Sequence, residues 1–103
     1  MGDFVKVAGV SEIPPGEMKI VDLGGQDVVI ANVNGSFFAF GNDCSHRQGP
    51  LGEGMLMDTN VECPFHGGQF DVRTGEAVAA PPTESVPTFA VRVEGEDIEV
   101  EKP

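Results

Sequence analysis

Short segments of alternating or β-branched hydrophobic residues recur along most of the chain. Alternation of apolar and polar positions with a period of two is typical of strands with one buried face. No amphipathic stretch longer than a turn or two of helix interrupts them. The pattern therefore predicts an all-β domain, a small sandwich or barrel. Its expected strands are Phe4 to Val7, Met18 to Leu23, Asp27 to Val33, Phe37 to Phe40, Phe89 to Val93 and Ile98 to Val100.

The connections between these segments carry turn signals. Asn34-Gly35 tolerates positive φ at both central positions of a type I′ turn and predicts a tight hairpin. Val93 to Ile98 (VEGEDI) is typical of a second, slightly longer hairpin loop. Ser11 to Gly16 (SEIPPG) predicts an irregular connector, because its two prolines prevent a long helix.

Length and charge limit the possible partners. The 103 residues are enough for one domain, so we expect a single domain over residues 1–103. Seventeen Asp and Glu against six Lys and Arg give a formal net charge of -11, which makes nucleic acid and membrane surfaces poor partners. No apolar run approaches the roughly 18 residues of a spanning helix, and Met1 to Val10 lacks the features of a signal peptide. We expect a cytoplasmic protein.

Candidate metal ligands cluster in the glycine-rich part of the chain between Gly41 and Gly68. Cys44-Ser45-His46 is followed, after 16 residues, by Cys63-Pro64-Phe65-His66. A disulfide is disfavoured, because thiols stay reduced where a chain without a signal peptide resides. Structural zinc usually takes two Cys from one half of the motif and two His from the other. Here each half is mixed, which suits a dinuclear cluster with both thiolates on one iron and both imidazoles on the other.

These residues carry a family resemblance. The stretch from Cys44 to Asp71, CSHRQGPLGEGMLMDTNVECPFHGGQFD, resembles the cluster-binding segment of Rieske proteins. The run from Val72 to Pro87, VRTGEAVAAPPTESVP, is similar to its continuation in small bacterial Rieske ferredoxins. The resemblance covers essentially the whole chain. It implies a Rieske-like β fold with two cluster-binding loops and one Rieske-type [2Fe-2S] cluster.

The resemblance also implies which residues bind which iron. Cys44 and Cys63 correspond to the ligands of the inner iron. His46 and His66 correspond to the ligands of the outer iron, which they bind through Nδ1.

Residues beside the ligands allow two interpretations each. Gly49-Pro50 and Gly67-Gly68 are turn residues, and they also let backbone N–H groups approach sulfur closely. Ala80-Pro81-Pro82 is either a loop covering one side of the cluster, as in the family, or an ordinary connector. Phe65 either shields the site or is simply packing. Arg47 either pairs with a nearby carboxylate, Asp43 or Glu53, or contacts a carboxylate of a partner.

The kind of Rieske protein is also indicated. Respiratory-chain members have an extra Cys in each loop, forming a disulfide, and a membrane anchor, whereas this chain has two Cys in all. Those members also place hydroxyl donors to sulfur at the positions that correspond to Gly68 and Phe70. Missing donors leave more electron density on the sulfurs and disfavour the reduced cluster. We therefore expect a low reduction potential.

The function that the resemblance implies is electron transfer. The expected partners are an NAD(P)H-dependent flavin-containing ferredoxin reductase and a terminal ring-hydroxylating oxygenase of aromatic catabolism. The chain is expected to carry electrons between them as a monomer. A Rieske-like small subunit of a larger reductase, such as nitrite reductase, remains an alternative, and a zinc-stapled interaction domain is another. The chain is not expected to be an oxygenase itself, since mononuclear iron needs two further His and a carboxylate, and both histidines are committed to the cluster.

Overall fold

The computed structural model describes residues 3–42, 51–63, 68–79 and 86–101. These residues form three antiparallel sheets. Sheet I contains β1 (Phe4–Gly9), β11 (Asp97–Glu101) and β10 (Val91–Glu94), in that order. Sheet II contains β2 (Met18–Leu23), β3 (Gln26–Val33), β4 (Ser36–Gly41) and β9 (Thr88–Phe89). Sheet III contains β5 (Met55–Met57), β6 (Asn60–Glu62), β7 (Gln69–Asp71) and β8 (Ala77–Ala79).

Two short 3₁₀ turns complete the described elements. They span Val10–Glu12 and Leu51–Glu53. The predicted all-β class is confirmed, with three sheets in place of the two of a simple sandwich. The described residues contain no helix long and apolar enough to cross a membrane.

Sheet II is the middle layer because its central strands are buried on both faces. β3 is a nearly continuous apolar run, and side chains of consecutive strand residues point to opposite faces. Val28 and Ile30 therefore enter one buried cluster, whereas Val29 and Ala31 enter another. The first, which we call the scaffold core, also holds Ala8, Ile98 and Val100 of sheet I. The second, the site-side core, also holds Leu51, Val61, Cys63, Phe70 and Val72.

The predicted hairpin at Asn34-Gly35 is confirmed. Both residues have positive φ, 53° and 94°, and Val33 pairs with Ser36 across the turn. The second predicted hairpin is tighter than expected: Glu94 pairs with Asp97, so its turn contains only two residues, with positive φ at Gly95. Glycine at the first central position permits a two-residue turn without strain.

The six predicted strands all appear, one of them interrupted. The segment Phe89 to Val93 is divided at Ala90 between sheets II and I, and the Ala90 carbonyl accepts a hydrogen bond from Glu101 N–H (2.9 Å). The four strands of sheet III were not predicted. Each has three residues, which is too few for a period of two to stand out from the glycine-rich sequence around them.

A charged side-chain pair holds the turn that follows β7. Arg73 donates from Nε and Nη2 to the two oxygens of Asp71 (3.1 and 2.8 Å), and its backbone N–H donates to the same carboxylate (2.9 Å). These hydrogen bonds hold the pKa of Asp71 below its ordinary value. The Asp71 carbonyl accepts from Gly75 N–H (2.7 Å), so the end of sheet III leads into a fixed turn.

Candidate metal centre

Cys63 is the one predicted ligand within the described residues, and it directly follows β6. Its residue surface is 1% exposed, and it belongs to the site-side core. Its backbone N–H donates to the carbonyl of Gly68 (2.7 Å), which is also buried. This hydrogen bond closes the base of the segment 64–67, which contains His66. The segment that contains the second predicted ligand pair therefore starts inside the core.

The segment 43–50, which contains Cys44 and His46, has a similarly closed base. Leu51 N–H donates to the backbone carbonyl of Asn42 (2.7 Å), and Gly52 N–H donates to the Asn42 side-chain oxygen (2.9 Å). Leu51 is fully buried in the site-side core, together with Cys63. Both ends of the segment are thus held on the same core as the second loop.

Hydrogen bonds also hold the residues that follow the segment 80–85, and they form a third base. Val86 N–H donates to the carbonyl of Gly75 (2.8 Å), and Gly41 N–H donates to the carbonyl of Pro87 (2.9 Å). Gly75 has φ of 81°, and a Cβ there would collide with the Val86 carbonyl. Because Gly41 precedes Asn42, the third base is continuous with the first.

Glycine 54 brings the first and second bases into contact. A Cβ at this position would overlap the backbone carbonyl of Glu62, the residue directly before Cys63. The Gly54 N–H also donates to the carbonyl of Leu51 (3.0 Å). Backbone therefore approaches backbone here at a distance that only glycine permits.

Of the other predicted site residues, the structure describes some and not others. Cys44, His46 and His66 lie outside the described residues, as do Arg47, Asp43, Gly49-Pro50, Phe65, Gly67 and Ala80-Pro81-Pro82, so their roles stay predictions. Gly68 is buried, and its carbonyl closes the second loop. Phe70 is 0% exposed and belongs to the site-side core, so it is a packing residue next to the site. Asn42, Gly54 and Gly75 were not singled out from the sequence, because their importance depends on contacts with distant segments.

The described part of the site fits a dinuclear iron–sulfur cluster. Such a cluster needs thiolate ligands shielded from water and imidazole ligands nearer the surface, and Cys63 is deeply buried at the start of its loop. The predicted donor set of two Cys and two His is the set that binds a Rieske cluster. Within residues 3–42, 51–63, 68–79 and 86–101, no three His, Cys, Asp or Glu side chains are grouped closely enough to hold a metal ion.

Comparison with known families gives the class of this protein. The model of the Rieske [2Fe-2S] domain matches residues 3–90. The chain belongs to the Rieske family, and its cofactor is one Rieske-type [2Fe-2S] cluster.

Individual relatives narrow the class further. The chain is 42% identical over 99 residues to the biphenyl dioxygenase ferredoxin subunit of Pseudomonas sp. (strain KKS102), covering 95% of this chain and 91% of the relative. The ferredoxin of carbazole 1,9a-dioxygenase from Nocardioides aromaticivorans IC177 has a closely similar structure, with a TM-score of 0.94 and 34% identity over 97% of this chain and 98% of that one. A ferredoxin solved in a complex of reduced oxygenase and oxidised ferredoxin in carbazole 1,9a-dioxygenase matches with a TM-score of 0.90 and 33% identity, over 95% of this chain and 92% of that one.

These relatives make the chain an electron carrier of the dioxygenase-ferredoxin type, and not a catalytic oxygenase. The alternative of a nitrite reductase subunit is weaker. A solved protein described as a nitrite reductase NADPH (small subunit) matches with a TM-score of 0.83 over 95% of this chain and 97% of that one, but its identity is 15%. That likeness shows the shared fold alone.

The close approach at Gly54 generates a prediction. Gly54→Ala should lower the free energy of unfolding by about 1–3 kcal/mol, because the added methyl group displaces the strand end that carries Cys63. We also expect a lower iron content per chain, measured by colorimetric iron assay beside thermal unfolding. Gly25→Ala is the control: its Cβ meets open space, so only its positive φ of 92° opposes the change. Equal iron content and unfolding midpoint in wild type and Gly54→Ala would contradict the assigned contact.

Proposed function

We propose that this chain takes single electrons from an NAD(P)H-dependent flavin-containing ferredoxin reductase and delivers them to a terminal ring-hydroxylating oxygenase. The observation that carries the proposal is its similarity, along nearly the full length of both chains, to ferredoxin subunits of aromatic dioxygenases. We further propose that it acts as a single-domain cytoplasmic monomer in aromatic hydrocarbon catabolism. The aromatic substrate itself binds the oxygenase and not this chain.

In this proposal four residues hold the cluster. Cys44 and Cys63 bind the inner iron, and His46 and His66 bind the outer iron. The bound cluster supplies a centre that accepts and releases one electron. The chain contributes the buried position of Cys63 and the hydrogen-bonded bases of the ligand segments. Ligands held by a packed core move little when the charge of the site changes, which favours repeated electron exchange.

The surface charge supports brief encounters with a basic partner. Within the described ranges every lysine and arginine is ion-paired: Lys6 with Asp97 (3.2 Å), Lys19 with Glu12 (2.6 Å), Arg73 with Asp71 (2.8 Å) and Arg92 with Glu99 (2.7 Å). The whole chain has 17 acidic residues against six lysines and arginines, so its net charge stays strongly negative. Excess negative charge accelerates association with a partner that has a basic rim, while weak redox complexes keep small interfaces.

The ligand assignment predicts the effect of removing a thiolate. Cys44→Ser and Cys63→Ser should each lose the cluster, seen as loss of the red-brown visible spectrum and of protein-bound iron. Ser45→Ala, which removes a side-chain oxygen between two proposed ligands, is the control and should keep both. Either cysteine variant retaining full iron and a native spectrum would show that the assignment is wrong.

The residues next to the cluster predict a low reduction potential. We expect a value of about -150 mV, the lower end of the Rieske range. Gly68 and Phe70 carry no hydroxyl group that could donate to sulfur and favour the reduced cluster. Gly68→Ser combined with Phe70→Tyr should raise the potential measured by voltammetry. Phe89→Tyr, on the scaffold-core side of the molecule, should leave it unchanged. A wild-type potential above about +200 mV would be inconsistent with this explanation.

Electron delivery itself tests the proposed function. In stopped-flow mixing with a purified dioxygenase, the second-order rate should fall as salt shortens the Debye length to about 8 Å at physiological ionic strength. Glu62→Gln, directly before Cys63, should lower this rate about two-fold at low salt, whereas Glu96→Gln in the sheet I hairpin should not. Arg47→Ala will lower the rate if Arg47 contacts the partner and leave it unchanged if Arg47 pairs within the chain. Failure of every ring-hydroxylating oxygenase assayed to accept electrons would refute the proposed function, and a salt-independent rate would refute electrostatic steering.

A further inference from the structure

Two asparagines, Asn32 and Asn42, are the buried polar side chains among the described residues. They are 4% and 7% exposed. Buried amides are retained where hydrogen bonds compensate for lost hydration, so each buried asparagine marks a point at which two chain segments are fastened together. Asn42 fastens the segment that contains the first two proposed ligands.

Asn42 uses three of its polar groups across chain segments. Its backbone N–H donates to the carbonyl of Asp27 near the start of β3 (3.3 Å). Its backbone carbonyl accepts from Leu51 N–H (2.7 Å), and its side-chain oxygen accepts from Gly52 N–H (2.9 Å). The residue therefore bridges the exit of β4 and the 3₁₀ turn that begins at Leu51.

The side-chain bond adds to the restraint at this base. Asn42 and Leu51 are joined by one backbone hydrogen bond, and a single hydrogen bond allows the two chain segments to rotate relative to each other. The second bond, from Oδ1 to the next residue, fixes the orientation of the 3₁₀ turn relative to β4. Gly52 is also confined by Ile20, since a Cβ at position 52 would overlap the Ile20 side chain. Cys44 follows Asn42 by two residues, so we expect a restraint on this base to limit the movement of the first proposed ligand.

We propose that Asn42 is a positioning residue for the cluster: its side-chain oxygen fixes the base of the segment 43–50 and slows release of the cluster. The proposal rests on the assignment of Cys44 and His46 as ligands. Loss of one hydrogen bond of ordinary strength makes opening of the base about five-fold more frequent. Cluster release that proceeds through this opening should accelerate by the same factor.

Asn32 provides a matched control. Its side-chain nitrogen donates to the Ile13 carbonyl (2.7 Å), and its side-chain oxygen accepts from Gly35 N–H (2.8 Å). It thus fastens a hairpin turn to the connector before β2 and touches none of the three loop bases. Counted among the described residues, Asn32→Ala removes two side-chain hydrogen bonds and Asn42→Ala removes one, and those of Asn32 lie away from the site.

The experiment follows the visible absorbance of the oxidised holoprotein in excess EDTA at pH 7.5, for wild type, Asn42→Ala, Asn42→Asp and Asn32→Ala. Asn42→Asp keeps an acceptor oxygen for Gly52 N–H and is the conservative variant. We expect about five-fold faster release in Asn42→Ala, release within two-fold of wild type in Asn42→Asp and Asn32→Ala, and an altered visible circular dichroism spectrum in Asn42→Ala only. Thermal unfolding of each variant measures the general loss of stability.

The outcomes separate positioning from stability. Equal acceleration in Asn42→Ala and Asn32→Ala at equal loss of unfolding temperature would overturn the proposal, because a structural role alone explains it. Release from Asn42→Asp as fast as from Asn42→Ala would also overturn it, since the acceptor oxygen would then be irrelevant. If Asn42→Ala yields no holoprotein, the comparison of Asn42→Asp with Asn32→Ala decides. Faster cluster release from Asn42→Asp would overturn the proposal, and faster release from Asn32→Ala would support it. An error in the ligand assignment would appear separately, as a cluster retained in Cys44→Ser.

Discussion

The site depends on one buried cluster of side chains that joins two sheets. Phe40 from sheet II, Leu51 from the 3₁₀ turn, and Val61 and Phe70 from sheet III are all fully buried in this site-side core. Cys63 is a member of the same cluster. Apolar burial of this extent is the main force available to a domain of about 100 residues. The packing that holds the two sheets together is therefore also the packing that places the one described ligand.

Hydrogen bonds between the residues that flank the three segments of the site fix those segments on the site-side core. Each of the segments 43–50, 64–67 and 80–85 is flanked by residues that hydrogen-bond across its base or to a neighbouring base. Among the described residues these contacts use backbone groups almost throughout, and Asn42 contributes a side-chain oxygen as well. Backbone hydrogen bonds leave few soft torsions, so a base fixed in this way varies little in geometry.

The positive charges of the described residues are neutralised locally, and the long-range field of the protein is negative. The described cations are each matched to a carboxylate, and Arg92 additionally lies 4.3 Å over the ring of Phe4 on the outer face of sheet I. Exposed pairs of this kind contribute little to stability, but they remove positive charge from the long-range field. The field is consequently dominated by carboxylates. A carrier that must leave its partner after each electron benefits from attraction that acts at a distance and binds weakly.

The sequence by itself determined the strands of sheets I and II apart from the break at Ala90, and it determined the Asn34-Gly35 hairpin and the family. It also supplied the predicted ligand pattern. All of these depend on local alternation, turn chemistry and spacing. Only the tertiary structure decided the rest. The strands of sheet III have three residues each and exist because β6 and β7 pair with neighbours and bury Val61 and Phe70 in a shared core. Asn42, a polar residue that local pattern assigns to the surface, is buried because Leu51 and Gly52 return to it. The glycine at position 54 is required because a carbonyl eight residues later in the chain lies against it, and contacts between separated segments leave no trace in local periodicity.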